Sequence, residues 1–206
     1  MKYSLGLLIA FFTLFMSCKP PANEVAAALG DYKPPKGAEI INYNKAGNHY
    51  LVIINTPQGK VGWMGEIFNG YKHGSWTTFH SNGVIHKMEN FEYGKKHGSS
   101  VYMNERGHLT KREHYYKGQF HGPQVKYNHL TVKEEANYRF GKLEGSFKVY
   151  YDNGKRLEES TFKNNKREGL ATWYDRDDNV SIRYRYKNGE KVEELPSDEN
   201  PPPSAN

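Results

Sequence analysis

Short runs of aromatic and aliphatic residues alternate with glycine-containing turns along most of the chain. The clearest example covers residues 145–154, where a glycine and a short aromatic run with Phe147 and Tyr150 precede Asn153 and Gly154. Phe162 lies in the run that follows. An Asn-Gly pair between two such runs is a strong signal for a β-hairpin. The pattern therefore predicts two antiparallel strands joined by a tight turn.

The same unit recurs about every 24 residues. Each unit opens with a glycine, and four residues upstream lies a second anchor, which is usually also glycine. A fixed period of this length is typical of repeat architectures. The units lie near residues 50–73, 74–97, 98–121, 122–144, 145–168 and 169–192. The opening glycines are Gly74, Gly98, Gly122, Gly145 and Gly169, and the upstream anchors are Gly70, Gly94, Gly118, Gly141, Asn165 and Gly189.

Two aromatic columns run through the units. Successive side chains of a strand point to opposite faces of a sheet, and the two columns occupy positions of the same parity. We therefore expect both columns to lie on one face. Trp76, Tyr102 and Trp173 have the opposite parity, so we expect them to be exposed and to form a candidate binding surface. The outgoing strands contribute Phe79, Met103, Tyr127, Tyr150 and Tyr174, and the return strands contribute Phe91, Tyr115, Tyr138, Phe162 and Tyr186.

These patterns predict an all-β fold, an elongated single-layer antiparallel sheet of sequential hairpins. The repeat domain spans residues 38–194 and holds about 11–13 strands, with a degenerate first unit before Trp63 and a capping strand near residues 40–43. The Pro-rich end, residues 195–206, is predicted to be a disordered tail.

Composition narrows the classes of function. The chain carries 29 basic and 23 acidic residues, but they are interleaved, which indicates a solvated mixed surface. Nucleic-acid readers gather their basic residues into a patch, so we expect no nucleic-acid partner. Cys18 is the only cysteine, which excludes an internal disulfide and a cysteine metal cluster.

The N-terminus resembles a bacterial lipoprotein signal. An apolar run of about a dozen residues, too short to span a bilayer, precedes Phe15-Met16-Ser17-Cys18. The small Ser17 fits a lipobox, whereas Phe15 replaces the usual leucine. The resemblance implies a signal peptide over residues 1–17, acylation of Cys18 (palmitate or a similar chain), a tether over residues 18–37, and a place in the cell envelope, in the outer membrane. The alternative is an ordinary secretory signal with a chance cysteine.

The repeated motif Gly-Lys-x-x-Gly, followed by an aromatic strand, an Asn-Gly turn and an aromatic return, resembles MORN repeats. It is most similar to the bacterial variant labelled YwqK-family antitoxins, over about residues 50–190. The resemblance implies scaffolds and protein-interaction modules, with phospholipid binding proposed for some, and it supplies no catalytic residues. The motifs occupy residues 69–74, 93–98, 117–122, 140–145 and 164–169.

Polar residues also form a column, which raises the question of a metal site. Equivalent positions two strands apart are separated by about 10 Å, too far to share one zinc ion. We expect these side chains to bond the loop backbone locally. Neither a nucleophile elbow nor a phosphate loop is present, so we predict no metal, no cofactor and no enzyme. The column comprises His73, His97, His121, Glu144 and Glu168.

Three functions remain after these exclusions. The favoured hypothesis is a membrane-anchored scaffold that binds another protein in the envelope, because the sequence combines a tether with an array. An immunity or antitoxin-like protein that neutralises a toxin at the envelope is the alternative. An envelope hydrolase is the least favoured, because adjacent acidic residues such as Glu158 and Glu159 point to opposite faces of a strand.

Overall fold

The computed structural model describes residues 30–196. The predicted signal peptide, the lipobox with Cys18, and residues 197–206 of the predicted tail lie outside this range.

The described chain forms sixteen strand segments and no helix. They are β1 (Glu39–Asn42), β2 (His49–Asn55), β3 (Val61–Phe68), β4 (Tyr71–Phe79), β5 (Ile85–Glu92), β6 (Lys95–Lys96), β7 (Gly98–Met103), β8 (Leu109–Tyr116), β9 (Gln119–Phe120), β10 (Gly122–Asn128), β11 (Thr131–Arg139), β12 (Lys142–Tyr150), β13 (Arg156–Lys163), β14 (Lys166–Tyr174), β15 (Val180–Lys187) and β16 (Glu190–Leu195).

All strands belong to one open antiparallel sheet in which sequence neighbours pair. This confirms the predicted fold class. β6 and β7 act as one strand interrupted at His97, and β9 and β10 as one interrupted at His121, so the sheet path has 14 strands when β6 and β9 are set aside. β1 is the capping strand expected near residues 40–43, but the expected 11–13 strands were too few, because β16 adds one more strand at the C-terminal end. At about 4.8 Å per strand, the sheet is about 60 Å long.

Two-residue turns at the upstream anchors join successive units. Asn188 has φ 54° and Gly189 φ 90°, and the equivalent pairs are alike. Positive φ at both central residues defines a type I′ turn, whose twist matches that of the flanking strands. Bulky residues also adopt this geometry in the array, namely Tyr93 at φ 45° and Phe140 at φ 49°. The recurrence of these anchors therefore reflects a requirement of the backbone.

The opposite long edge carries wider turns, and each is followed by a β-bulge. In the second hairpin Thr78 pairs with Lys87 but Phe79 pairs with Ile85, so His86 has no partner. The same shift occurs at Met103, Tyr127, Tyr150 and Tyr174. One extra residue on the return strand inverts the alternation of its side chains.

The bulge overturns the expected sharing of faces by the aromatic columns. Phe91 pairs with Gly74, and Glu89 with Trp76, so Phe91 lies on the side of Trp76. Phe79 lies three residues after Trp76 in the same strand, an odd number, and therefore lies on the other side. We call the two sides the Trp76 face (Trp76, Glu89, Phe91 and their equivalents) and the Tyr150 face (Tyr150, Phe79, Tyr174 and theirs). Tyr102 and Trp173 share the Trp76 face with the return column.

The densest packing lies at the N-terminal end of the sheet. Val52 and Ile67 are fully buried and contact Trp76. Residues 30–38, which we call the strap, also pack here. The backbone of Gly30 donates to Asn69 and that of Tyr32 to Gly70. The end of the predicted tether therefore lies on the sheet instead of forming a free spacer.

Candidate functional site

Trp76 forms the floor of a groove on the Trp76 face. Its ring stacks on Trp63 at 5.2 Å, and Tyr32 of the strap meets it edge-on at 5.8 Å. Its indole Nε1 donates to the carbonyl of Glu66 at 3.0 Å. The expectation that Trp76 is exposed is wrong: only 7 % of its surface is accessible, because the strap covers one side and Trp63 the other.

The groove between strap and sheet has a volume of about 350 Å³. This is close to the lower end of the range for small-ligand sites. Aromatic rings and lysines dominate its walls. The lining residues are Tyr32, Pro35, Trp63, Lys72, Trp76, Thr78, Lys87 and Glu89.

Lys72 lies over the groove floor. Its Nζ is 4.2 Å from the ring centre of Trp76 and 5.2 Å from that of Phe91, which are cation–π distances. Burial lowers the pKa of the Lys72 ammonium, and Lys87 and Lys96 lower it further, although Glu89 opposes them. Within residues 30–196, no carboxylate forms an ion pair with Lys72.

Glu89 is the carboxylate beside this lysine, and other groups already hold it. Lys96 Nζ lies 2.6 Å and Lys87 Nζ 2.9 Å from its oxygens, and the Tyr102 hydroxyl donates to it at 3.2 Å. Burial acts to raise the pKa of Glu89, but the hydrogen bonds and charges of the two lysines outweigh burial and lower the pKa to about 2. Glu89 is therefore ionised throughout the physiological range.

The next unit repeats the arrangement. Glu113 accepts from Tyr115 at 2.7 Å and pairs with Lys111 at 2.7 Å, and Lys111 lies 4.1 Å above the Tyr102 ring. Burial raises the pKa of Tyr102, and the charges of Glu113 and Glu89 raise it further. The phenol thus stays protonated and acts as a donor between two carboxylates.

Trp173 lies on the same face but in a separate cluster near the other end. Arg167 lies 5.0 Å from the Phe162 ring and 5.3 Å from that of Trp173, and it is bonded to Glu158. The structure thus brings Trp76 and Tyr102 together around Glu89 and leaves Trp173 apart. Tyr102 and Trp173 are both half-buried.

Sequence reasoning missed the cations of this face. Each lies two residues after an upstream anchor, at the second residue of a strand, and its charged group lies over an aromatic ring of a return strand. Aligning the units on these anchors would have exposed the series, because it follows the same period. Its members are Lys72, Lys96, Arg167 and Lys191, with Phe120 and Leu143 in the two middle units.

The polar column lies on the Tyr150 face, and three of its members have the expected local role. Glu144 accepts from the backbone N–H of Asn164 at 2.8 Å, Glu168 from Asn188 at 2.7 Å, and His121 from Phe140 at 3.4 Å. Each one thus holds the type I′ turn of a neighbouring unit.

The other two histidines of the column differ. His97 Nδ1 lies 2.8 Å from Glu92, and His73 packs between Phe68 and Tyr93. Among residues 30–196, no three His, Cys, Asp or Glu residues gather closely enough to hold a metal ion.

Comparison with known protein families finds a similarity for two hairpins of the sheet. Residues 72–93 and 143–164 each match the family model described as a MORN repeat variant. Both segments run from the start of an outgoing strand to the end of its return strand, which is one hairpin of the sheet. Two hairpins of the sheet are therefore similar to MORN repeats, a type of repeat that generally serves as an interaction module for proteins or membranes and does not define an enzyme family.

A search of curated proteins returns no match for this chain. Over residues 30–196, no helix has the length and apolar character needed to cross a bilayer.

Proposed function

We propose that this protein is a lipid-anchored scaffold of the bacterial cell envelope, and that it binds a protein partner through the Trp76 face. The observation that carries the proposal is this face itself, which combines aromatic rings with cations over several units. Aromatic residues and arginine supply most hot spots of protein interfaces. Beyond the strap, no second layer covers this face within residues 30–196.

The middle of the face is the best contact region. Ring centres of Tyr115 and Phe120 lie 4.9 Å apart, those of Phe120 and Tyr138 5.2 Å, and those of Phe147 and Phe162 5.4 Å. The rings form a half-exposed apolar track between the two cation-rich clusters. A partner covering it would bury an apolar centre inside a charged rim, as protein interfaces commonly do.

The proposal that the chain is lipid-anchored rests on the lipobox-like residues around Cys18. A lipidated chain should be recovered with membranes and carry a labelled fatty acid, and Cys18→Ser should abolish both. Recovery of Cys18→Ser in the membrane fraction, with label retained, would contradict lipidation.

Site-specific photocrosslinking in living cells tests the partner-binding face. The crosslinking residue replaces Phe120 on the Trp76 face or, as a matched control, Tyr127 on the Tyr150 face. We expect one protein to be captured from Phe120 and not from Tyr127. Equal capture from both positions, or none from either, would contradict the proposed face. Capture of a toxin secreted by sibling cells would favour the immunity alternative over the scaffold.

A further inference from the structure

The groove beside the strap contains a lysine, Lys72, that forms no ion pair within residues 30–196. Glu89 is paired with both Lys87 and Lys96, whereas Lys72 faces the open groove above Trp76. A carboxylate entering the groove would meet Lys72 without displacing an existing ion pair. The groove therefore suits a segment that carries acidic groups.

The groove also accepts proline. Pro35 of the strap already lines it, together with Trp63 and Trp76. Proline-rich segments adopt an extended helix with little entropy left to lose, and aromatic-lined grooves recognise them for this reason. The preferred ligand thus combines carboxylates with adjacent prolines.

One segment of this chain has this composition. Asp198 and Glu199 are followed by Asn200 and then by Pro201-Pro202-Pro203. We propose that the groove of one molecule binds residues 198–203 of a second copy, with an acidic side chain at Lys72 and the prolines against Trp63 and Trp76.

Geometry requires the second copy. Pro203 lies eight residues beyond Leu195, the last residue of β16, and eight residues span at most about 29 Å. The groove is built on β3, β4 and β5, and nine strand spacings separate β5 from β16 along the sheet, or about 43 Å. The segment cannot reach the groove of its own sheet, so binding joins the C-terminal end of one molecule to the N-terminal end of another.

A labelled synthetic peptide of residues 196–206 tests the contact by fluorescence anisotropy with the full chain in mild detergent. We expect saturable binding that weakens about tenfold or more for Lys72→Gln. Lys133→Gln should leave it unchanged, because Lys133 is an exposed strand lysine outside the groove. A peptide with Asp198→Asn and Glu199→Gln should bind as weakly as the wild-type peptide binds to Lys72→Gln.

Sedimentation of the full chain provides a second readout that does not depend on altering the sheet. We expect concentration-dependent association that D198N/E199Q abolishes, since these positions lie outside the described sheet. The proposal is overturned if the peptide fails to bind, if Lys72→Gln binds it equally well, or if a scrambled peptide of the same composition binds equally well. Association that persists in D198N/E199Q overturns it too.

Discussion

At the scale of single residues, Glu89 couples the stability of the Trp76 face to pH. Its folded-state pKa of about 2 lies below the ordinary value of 4.5, and its side chain is only 10 % exposed. A depressed carboxyl pKa gives stability that is fully present above the ordinary pKa and is lost as pH falls toward the folded one. The loss should therefore occur between about pH 4.5 and 2 and amount to roughly 2–3 kcal/mol.

The variant Glu89→Gln should remove this part of the pH dependence. Urea unfolding measured from pH 5 to 2 should show a shallower decline than in the wild type, although Glu89→Gln is less stable at pH 5. Glu134→Gln is the control, because Glu134 lies on the same face but pairs with one half-exposed lysine, Lys126. Parallel pH profiles for wild type and Glu89→Gln would contradict the argument.

Gly65 is where the sheet leaves no room for a side chain. A Cβ at this position would lie 2.2 Å from the ring of Trp76, which is fixed by its stack on Trp63 and its bond to Glu66. Gly65→Ala should therefore destabilise the protein by about 1–3 kcal/mol. The same strand offers a control in Gly62, whose added Cβ would find its nearest neighbours at 3.4 Å.

Gly62→Ala should change the free energy of unfolding by less than about 0.5 kcal/mol. Urea unfolding followed by tryptophan fluorescence measures both variants, and it also reports a displaced Trp76 directly. Equal stabilities for the two variants would contradict the argument, because they would show that the Trp76 ring can shift to accept the added Cβ at little cost.

The residue scale is also where prediction from sequence succeeded least. Period and parity placed Trp76 in a strand, but its burial depends on Tyr32, more than forty residues earlier, crossing the face. The strap contains Lys33-Pro34-Pro35-Lys36, which has the composition of a linker. The local sequence does not distinguish a free linker from a segment that packs on the sheet, because packing depends on the surface that the rest of the chain presents.

At the scale of elements, the type I′ turns differ in how well their residues suit the backbone. Lys117 has φ 49° in a position that Asn occupies in the turns at Asn69, Asn164 and Asn188. A left-handed backbone is unfavourable for lysine and tolerated by asparagine, and Asn-Gly is the preferred pair for this turn. Lys117→Asn should stabilise the protein by about 0.5–1 kcal/mol.

Chemical denaturation measures this gain, and Lys95→Asn is the control. Lys95 is equally exposed but lies in β6 and has no positive φ, so asparagine offers no advantage there and should be neutral or unfavourable. A gain from both variants would point to reduced net charge as the cause.

The turns are also held from the side by neighbouring units. Because Glu144 accepts from the backbone of Asn164, Glu144→Ala should speed hydrogen exchange of the Asn164 amide by about tenfold. Glu168→Ala should do the same at Asn188 and leave Asn164 unchanged. Amide exchange followed by NMR separates these sites, and a uniform change across the sheet would mean that the glutamates act on global stability.

The sequence predicted the hairpins and their period well, because turn chemistry is local and repeats in every unit. It did not predict the bulge at His86 and its equivalents, since an extra unpaired residue leaves no mark on composition. That one residue moved the whole return column to the other face. The columns were therefore identified correctly, and the relation between them was wrong.

At the scale of the whole molecule, stability is distributed along the array. Each strand pairs only with its sequence neighbours, so no contact joins the first units to the last. Repeat proteins of this kind behave as a sum of unit stabilities and interfaces between neighbours. An alteration that respects the period should change the length of the molecule and preserve its fold.

Deletion of residues 145–168 makes that alteration. It joins Glu144 to Gly169 and so recreates the Glu168–Gly169 junction of the native chain, while the first half of β12 continues into the second half of β14. Two strand positions are lost, so small-angle scattering should show a molecule about 10 Å shorter that retains its β-sheet circular dichroism. Deletion of residues 157–168 removes half a period instead. Each later return strand then takes the position of an outgoing strand and the reverse, so the side chains and turns no longer match those of the preceding unit, and the deletion should prevent folding. If the 24-residue deletion also unfolded the chain, the units would have to be cooperative over more than nearest neighbours.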